Sequence, residues 1–289
     1  MSNFVEKKRF NMAEKEKNNE INNAMQDKLI EYIDLINVQL REPATGIFAS
    51  LPVTVNNINS NNTEKAMENL QGIYKNTYRI LKGINNISLT AKLMGDYEFA
   101  KEAINLSDLI TNIFSSSEMV LPDYVKIYTE IEKGCIVSGN STLLTVGLLN
   151  ILLNSMDYRR EDGVTVEISL KKENGKSVLV YKDNSLGIKP EISQDIFNPF
   201  FTSDPYADGE SSSRTGLGLY IAKKAIEFSK GTIFLNTEFS EGVKYIISLP
   251  DEIQDEENIL KSSSSEFLLN RYSNVFIQLC EYCNLPDLR

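Results

Sequence analysis

An α+β fold in two parts is what this sequence predicts: an N-terminal helical hairpin followed by an α/β sandwich. Three observations carry the prediction. Apolar residues recur at spacings of three and four on both sides of one polar turn, as far as about residue 93. Beyond Gly95, β-rich runs alternate with helical ones. The chain has 289 residues, enough for two ordinary domains, and its 42% apolar and 24% charged residues are those of a soluble globular protein.

The elements follow in order. Residues 1–21 are rich in Lys, Glu and Asn and form a polar lead-in, either disordered or the first turns of a long helix. Residues 22–96 predict the hairpin. Leu29, Tyr32, Ile33, Ile36 and Leu40 repeat at helical spacing, and the pattern continues through Ile47, Phe48 and Leu51. Pro43 removes one backbone donor and predicts a bend. Residues 56–62 (NNINSNN) predict the turn, and Thr63 the next N-cap. Leu70, Ile73, Tyr74, Tyr78, Leu81, Ile84, Ile87 and Leu93 then mark the second helix. One hairpin has little to bury so wide a stripe against. Homodimerisation into a four-helix bundle is therefore expected.

Residues 97–250 predict the sandwich. A short strand and a helix are expected over 103–113, a strand over 125–131 and a helix over 143–158. Strands over 165–171 and 177–182 come next. The polar stretch 203–214 reads as a mobile loop. A helix over 217–228 and strands over 232–237 and 243–249 complete the set. Residues 251–289 begin acidic, turn Ser-rich, and end in an apolar-periodic segment, 267–283, expected to be one more helix.

Composition removes several functions. A formal charge of −10 repels phosphate backbones, so nucleic acid is not an expected partner. The longest apolar stretch, 143–153, is broken by Thr145, Gly147 and Asn150, and falls short of the ~18 residues of a membrane span. The N-terminus has no apolar signal core, so a cytoplasmic location is expected. Cys280 and Cys283 form a lone C-x-x-C in a chain with no histidine, a poor zinc site. Half-buried helix cysteines are the expected reading.

Four separated segments carry the chemistry. Asn150 and Asn154 are four apart and share a helix face, where two amide oxygens can meet one hard cation such as Mg²⁺. Asp183-Asn-Ser-Leu-Gly187-Ile188 follows a strand, so that Asp183 can accept from an exocyclic amine while Gly187 lets the backbone approach a ligand. Residues 196–202 (IFNPFFT, ending in Thr202) form an aromatic cluster before the mobile loop, mainly for packing. Arg214-Thr-Gly216-Leu217-Gly218-Leu219 opens a helix whose free N–H groups suit phosphate.

Each segment alone has a common structural explanation, but the ordered set resembles the ATP-binding domain of sensor histidine kinases. NILLNSMDY is similar to that family's N box, DNSLGI to its G1 box, IFNPFFTSD to its F box and RTGLGL to its G2 box. The similarity spans about residues 29–250. It implies ATP and Mg²⁺ as cofactors, with Asn150 and Asn154 on the metal, Asp183 on adenine and Tyr158 along the base. Gly216 and Gly218 would let the lid cover the phosphates, and Ile188, Thr202 and Leu217 belong to the same boxes.

The chain also departs from that pattern. The family's first bundle helix carries His-Glu-Leu-Arg-x-Pro-Leu, and the matching stretch here is Val38-Gln39-Leu40-Arg41-Glu42-Pro43-Ala44. Val38 has no nucleophilic atom and Gln39 cannot act as a base. The relatives that hydrolyse ATP use a Glu where Asn150 stands. Ser185 replaces a glycine. Asp157 replaces a common lysine and would repel phosphate if it faced the nucleotide, leaving Arg159 or Arg160 to compensate. No catalytic residue is therefore assigned, and enzymatic activity stays open. With these departures, the resemblance implies a regulator or scaffold in two-component-type signalling that binds ATP–Mg²⁺ but cannot autophosphorylate on histidine. Its expected partners are a second copy, and a response-regulator receiver domain or another kinase. The alternative is an active kinase whose acceptor, histidine or serine, lies on a partner.

Overall fold

A computed structural model describes residues 33, 36–37, 40–95, 97–202, 216–252 and 272–283. The lead-in 1–21, Val38, Gln39, and the expected loop 203–214 lie outside the described residues.

Helix α1 runs through residues 40–59 and α2 through Thr63–Met94. The helical run passes through Pro43 without ending there. The turn is shorter than the Asn-rich signal predicts, because helix continues to residue 59 and only 60–62 reverse the chain. Asn61 takes the left-handed conformation (φ 53°), which asparagine tolerates. The N-cap is Asn62 rather than Thr63, its side chain accepting from the Lys65 N–H. The two helices are antiparallel and close. Glu42 pairs with Arg79 at 3.3 Å, and a Cβ on Gly83 would lie 3.2 Å from Leu40 Cδ2.

The hairpin is apolar where nothing covers it. Phe48, Leu51, Val55 and Ile58, spaced three, four and three apart, form one exposed stripe on α1. Phe48 is 74% exposed. Met67 and Leu70 of α2 are exposed as well. The other end of α2 is covered by the sandwich, and Tyr78, Gly83, Asn86 and Thr90 are buried there.

The sandwich is built from β1 (Glu102–Asn105), α3 (Leu106–Val120), β2 (Val125–Ile131), β3 (Ile136–Gly139), α4 (Ser141–Asp157), β4 (Val164–Glu173), β5 (Lys176–Asp183), α5 (Gly218–Phe228), β6 (Thr232–Leu235) and β7 (Lys244–Pro250). One five-stranded sheet has the order β2-β4-β5-β7-β6. It is parallel only between β2 and β4. β1 and β3 form a small antiparallel pair. The strand β3 escapes sequence reading because Ile136, Val137 and Gly139 are all buried, without the alternation that marks a half-buried strand.

Helices α3, α4 and α5 cover one face of the large sheet. Ile110, Ile113 and Phe114 of α3, Leu149, Leu152 and Met156 of α4, and Ala222 and Ala225 of α5 meet Val166, Ile168, Leu179, Tyr181, Tyr245 and Ile247. Each large side chain so buried contributes about 1.5–3 kcal/mol. Helices α4 and α5 touch through Gly147, where a Cβ would come within 3.1 Å of Ala222 Cα. This core is what fixes α4 and the ends of β5 and β7 around one cavity.

The chain closes in a short helix, α6 (Asn274–Leu279), capped by Ser273. It lies between α2 and α4. Val275, Leu279 and Cys283 join the main core, while Ile277 and Cys280 pack on Tyr78 of α2. Residues 267–271 of the expected C-terminal helix lie outside the described residues, and the helix ends before the cysteines. Cys280 and Cys283 are fully buried in the following turn rather than half-buried on a helix. Burial pushes their thiols up to about 11 and about 12. Among the described residues no helix is long and apolar enough to cross a membrane, and no cluster of metal-binding side chains occurs.

Candidate functional site

A cavity of about 870 Å³ opens between α2, α4, the loop after β5, the start of α5, and the turn before β7. Its floor is the end of β5. Asp183 is only 5% exposed, and its carboxylate is held by four donors. Oδ1 accepts from the Ser185 N–H (3.0 Å), the Ser185 hydroxyl (2.7 Å) and the Val243 N–H (2.9 Å). Oδ2 accepts from the Ser155 hydroxyl of α4. Each carboxylate oxygen has about two acceptor sites and Oδ2 takes a single donor among the described residues, so Oδ2 retains capacity for one further donor, and Asp183 lines the cavity.

The backbone around Asp183 is equally constrained. Its N–H donates to Val243 O (2.9 Å), and Asn184 Oδ1 accepts from the Thr165 N–H (2.7 Å). Gly242 passes so close that a Cβ there would overlap the Asp183 carbonyl. Gly187 has φ 82°, a conformation that favours glycine. Ser155 also hydrogen-bonds the Tyr181 hydroxyl at 2.7 Å. Burial pushes the Tyr181 phenol well above its ordinary value, with the Asp183 charge adding to it. Tyr181 is therefore a neutral partner at physiological pH.

The upper wall comes from α4 and α5. Asn150 is 4% exposed, and its Nδ2 donates to Val146 O (3.0 Å). That bond orients the amide so that Oδ1 faces the start of α5, where a Cβ on Gly218 would sit 3.1 Å from it. Asn154 lines the cavity one turn further on. The N-cap of α5, an 11-residue helix, is Leu217, which supplies no side-chain hydrogen bond. Phe200 and Gly216 meet at the base of the segment between them: the Phe200 N–H donates to Gly216 O (3.0 Å), and both residues have positive φ.

Asn150, Asn154, Tyr158, Asp183, Gly187, Ile188, Thr202, Gly216 and Gly218 thus line the same cavity. Leu217 does not: it is buried against Val146 and Ile221, where it packs the start of α5. Asp157 lines the cavity, but its carboxylate accepts from the Tyr282 hydroxyl. Neither Arg159 nor Arg160 lines the cavity. Arg159 lies over the Tyr124 ring and donates to Met156 O, and Arg160 donates to Ser185 O and Glu241 O. Both guanidiniums are occupied outside the cavity. Among the described residues, the cations that line it are Arg79, Lys82 and Lys189.

Sequence reasoning missed Ser155, Gly242, Arg79, Lys82, Asn86 and Glu281. Only Gly242, in the turn before a strand, left a local signal. The others are recognised by partners distant in the chain.

Comparison with known proteins bears on the family and the fold. Residues 139–253 match the family model described as "Histidine kinase-, DNA gyrase B-, and HSP90-like ATPase". The CAI-1 autoinducer sensor kinase/phosphatase CqsS of Vibrio cholerae is 32% identical over 139 residues, 48% of this chain and 19% of that protein. The sensor histidine kinase WalK of Bacillus subtilis is 25% identical over 231 residues, 79% of this chain and 38% of that protein. This chain therefore spans well under half of either relative. The histidine kinase AdeS of Acinetobacter baumannii shares the fold, with a TM-score of 0.53 and 15% identity over 74% of this chain and 98% of that one.

Proposed function

We propose, from the premise that the chain carries a histidine-kinase-type ATP-binding domain, that the cavity takes ATP with Mg²⁺ and that the protein is a pseudokinase. It would regulate or scaffold two-component-type signalling rather than phosphorylate itself on histidine. The observation that carries the nucleotide reading is the Asp183 carboxylate, which lines the cavity, is buried and held by four donors, and keeps one acceptor site at Oδ2. That site suits the exocyclic amine of adenine. Asn150 and Asn154 would hold Mg²⁺ through their amide oxygens, and the positive dipole end at the start of α5 would face the phosphates. The bound metal would screen phosphate charge; the residues themselves bind and orient.

The pseudokinase reading rests on composition and position. None of the 289 residues is histidine, and Val38 and Gln39 stand where acceptor and base are expected. The exposed stripe Phe48, Leu51, Val55 and Ile58 supports homodimerisation through the hairpin. Arg41 and Glu42, exposed at the start of α1 beside Val38, are contacts to test for a receiver domain or another kinase. Calorimetric titration of ATP with and without Mg²⁺, beside incubation with γ-labelled ATP, tests the whole reading. Micromolar binding without label on the protein is expected. Stable label on the chain would sink it.

A second reading is favoured by the intact placement of Asn150, Asn154 and Asp183 around one cavity: a kinase whose acceptor histidine or serine lies on a partner. Transfer of label to a co-purified partner, lost in Asn154→Ala, would replace the first reading with this one.

A further inference from the structure

The cavity has one wall that does not belong to the sandwich. Lys82 and Arg79 enter it from α2, and Glu281 enters it from the turn after α6. The Lys82 ammonium and the Glu281 carboxylate are 2.9 Å apart and largely buried. Arg79 is already tied to Glu42 at 3.3 Å. α4 presents an acid here, Asp157, held by the Tyr282 hydroxyl. Arg159 and Arg160 are engaged elsewhere. A triphosphate reaching from Asp183 towards Asn154 brings several negative charges to a face on which α4 offers none of the opposite sign. Lys82 is the cation on that side that, among the described residues, is paired with a single carboxylate.

We propose that Lys82 is a phosphate-binding residue of this site and that Glu281 is the resting partner the nucleotide phosphates displace. The proposal rests on the ATP reading of the cavity and adds a cation from the hairpin to it. Phosphate oxygens compete with a carboxylate for the same ammonium, so the two occupancies are exclusive. Displacing Glu281 has a consequence beyond the cavity, because its bond to Lys82 is one of the side-chain hydrogen bonds that fasten residues 272–283. Others are Gln278 Nε2 donating to Asn86 Oδ1 (2.8 Å), and Tyr282 donating to Asp157. Gln278 Oε1 is buried and finds no donor among the described residues, so this fastening is incomplete. ATP, and not adenosine, would then loosen α6 from both α2 and α4.

The test compares ATP–Mg²⁺ with adenosine, using the full chain, by calorimetry and by pulsed alkylation of Cys280 and Cys283 read by peptide mass. Glu281→Gln keeps the shape and a hydrogen bond to Lys82, and is expected to tighten ATP about 10-fold. Lys82→Gln should weaken ATP by about the same factor, and Lys82→Arg should restore it. Adenosine affinity should be unchanged in all three. ATP should speed alkylation of both cysteines in the unaltered chain, and adenosine should not. Adenosine binding together with an ATP affinity indifferent to Lys82 and Glu281 overturns this proposal alone, as does alkylation unaffected by ATP. Failure of both ligands to bind the unaltered chain overturns the nucleotide reading and this proposal with it. If Lys82→Gln unfolds, Glu281→Gln still decides.

Discussion

The two walls of the cavity are made in opposite ways. The floor at Asp183 is backbone, hydroxyl and strand: every donor to the carboxylate comes from the sandwich, and Gly242 leaves no room for it to shift. The opposite wall is made of long charged side chains reaching in from α2 and from the turn after α6. One wall is rigid; the other is adjustable and ties two distant parts of the chain together. A rigid floor selects a ligand, and an adjustable wall can report that the ligand has arrived.

The contrast can be broken from its rigid side first. Asp183→Asn places an amide among donors, so adenosine and ATP affinity should both fall about 100-fold in a titration. Equal loss for both ligands marks the floor; loss for ATP alone would assign Asp183 to the wrong wall. Gly242→Ala should cost about 3 kcal/mol in urea unfolding, because its Cβ has no space beside the Asp183 carbonyl. On the adjustable side, Ile277→Ala removes packing against Tyr78 and should cost about 2 kcal/mol. The cost should appear as faster hydrogen exchange over residues 274–283, with the amides of β5 unchanged. Ser185→Ala removes one of three donors to Asp183 Oδ1 and should cost about 1 kcal/mol.

The smallest effect is that of pH on the adjustable wall. Burial draws the Lys82 pKa down, but the charges of Glu281, Cys280 and Asp157 outweigh it and hold it above the ordinary 10.5. Burial pushes Glu281 up, and Lys82, with Arg79 and Lys75 behind it, outweighs that and holds it below the ordinary 4.5. A depressed acid contributes stability above its unfolded value, lost as pH falls through the folded one. A raised base contributes below its unfolded value, lost as pH rises through the folded one. Docking of α6, followed by alkylation of Cys280 and Cys283 with the thiolate fraction corrected for, should therefore be flat between pH 6 and 9. Acid should release it below the ordinary carboxylate range. A transition near neutrality would mean that another group controls this wall.

The same contrast explains what could be read in advance. β4, β5 and β7 announce themselves by alternation, α4 and α5 by apolar spacing, and the floor by Asp183 to Gly187 in a row. These are local signals, and they placed nine of the ten expected site residues in one cavity, Leu217 going to the core instead. The other wall depends on contacts 199 residues apart for Lys82 and Glu281, 192 for Asn86 and Gln278, and 125 for Asp157 and Tyr282. No periodicity encodes such pairs. Asp157 looked like a defect beside a nucleotide because its partner is so remote. The turn was misjudged for a different reason: asparagines at 56, 57 and 59 are poor helix formers, but the paired helix carries them past their own propensity.

The Tyr282–Asp157 hydrogen bond also gives the protein an optical signature. The chain has 13 tyrosines and no tryptophan, so its ultraviolet emission comes from phenols alone, with no indole to outshine them. A phenol bound to a carboxylate emits poorly, since the excited hydroxyl passes its proton to the acceptor. Tyr282 is therefore dim while residues 272–283 are seated and brightens when they leave, a label-free gauge of the docking of α6.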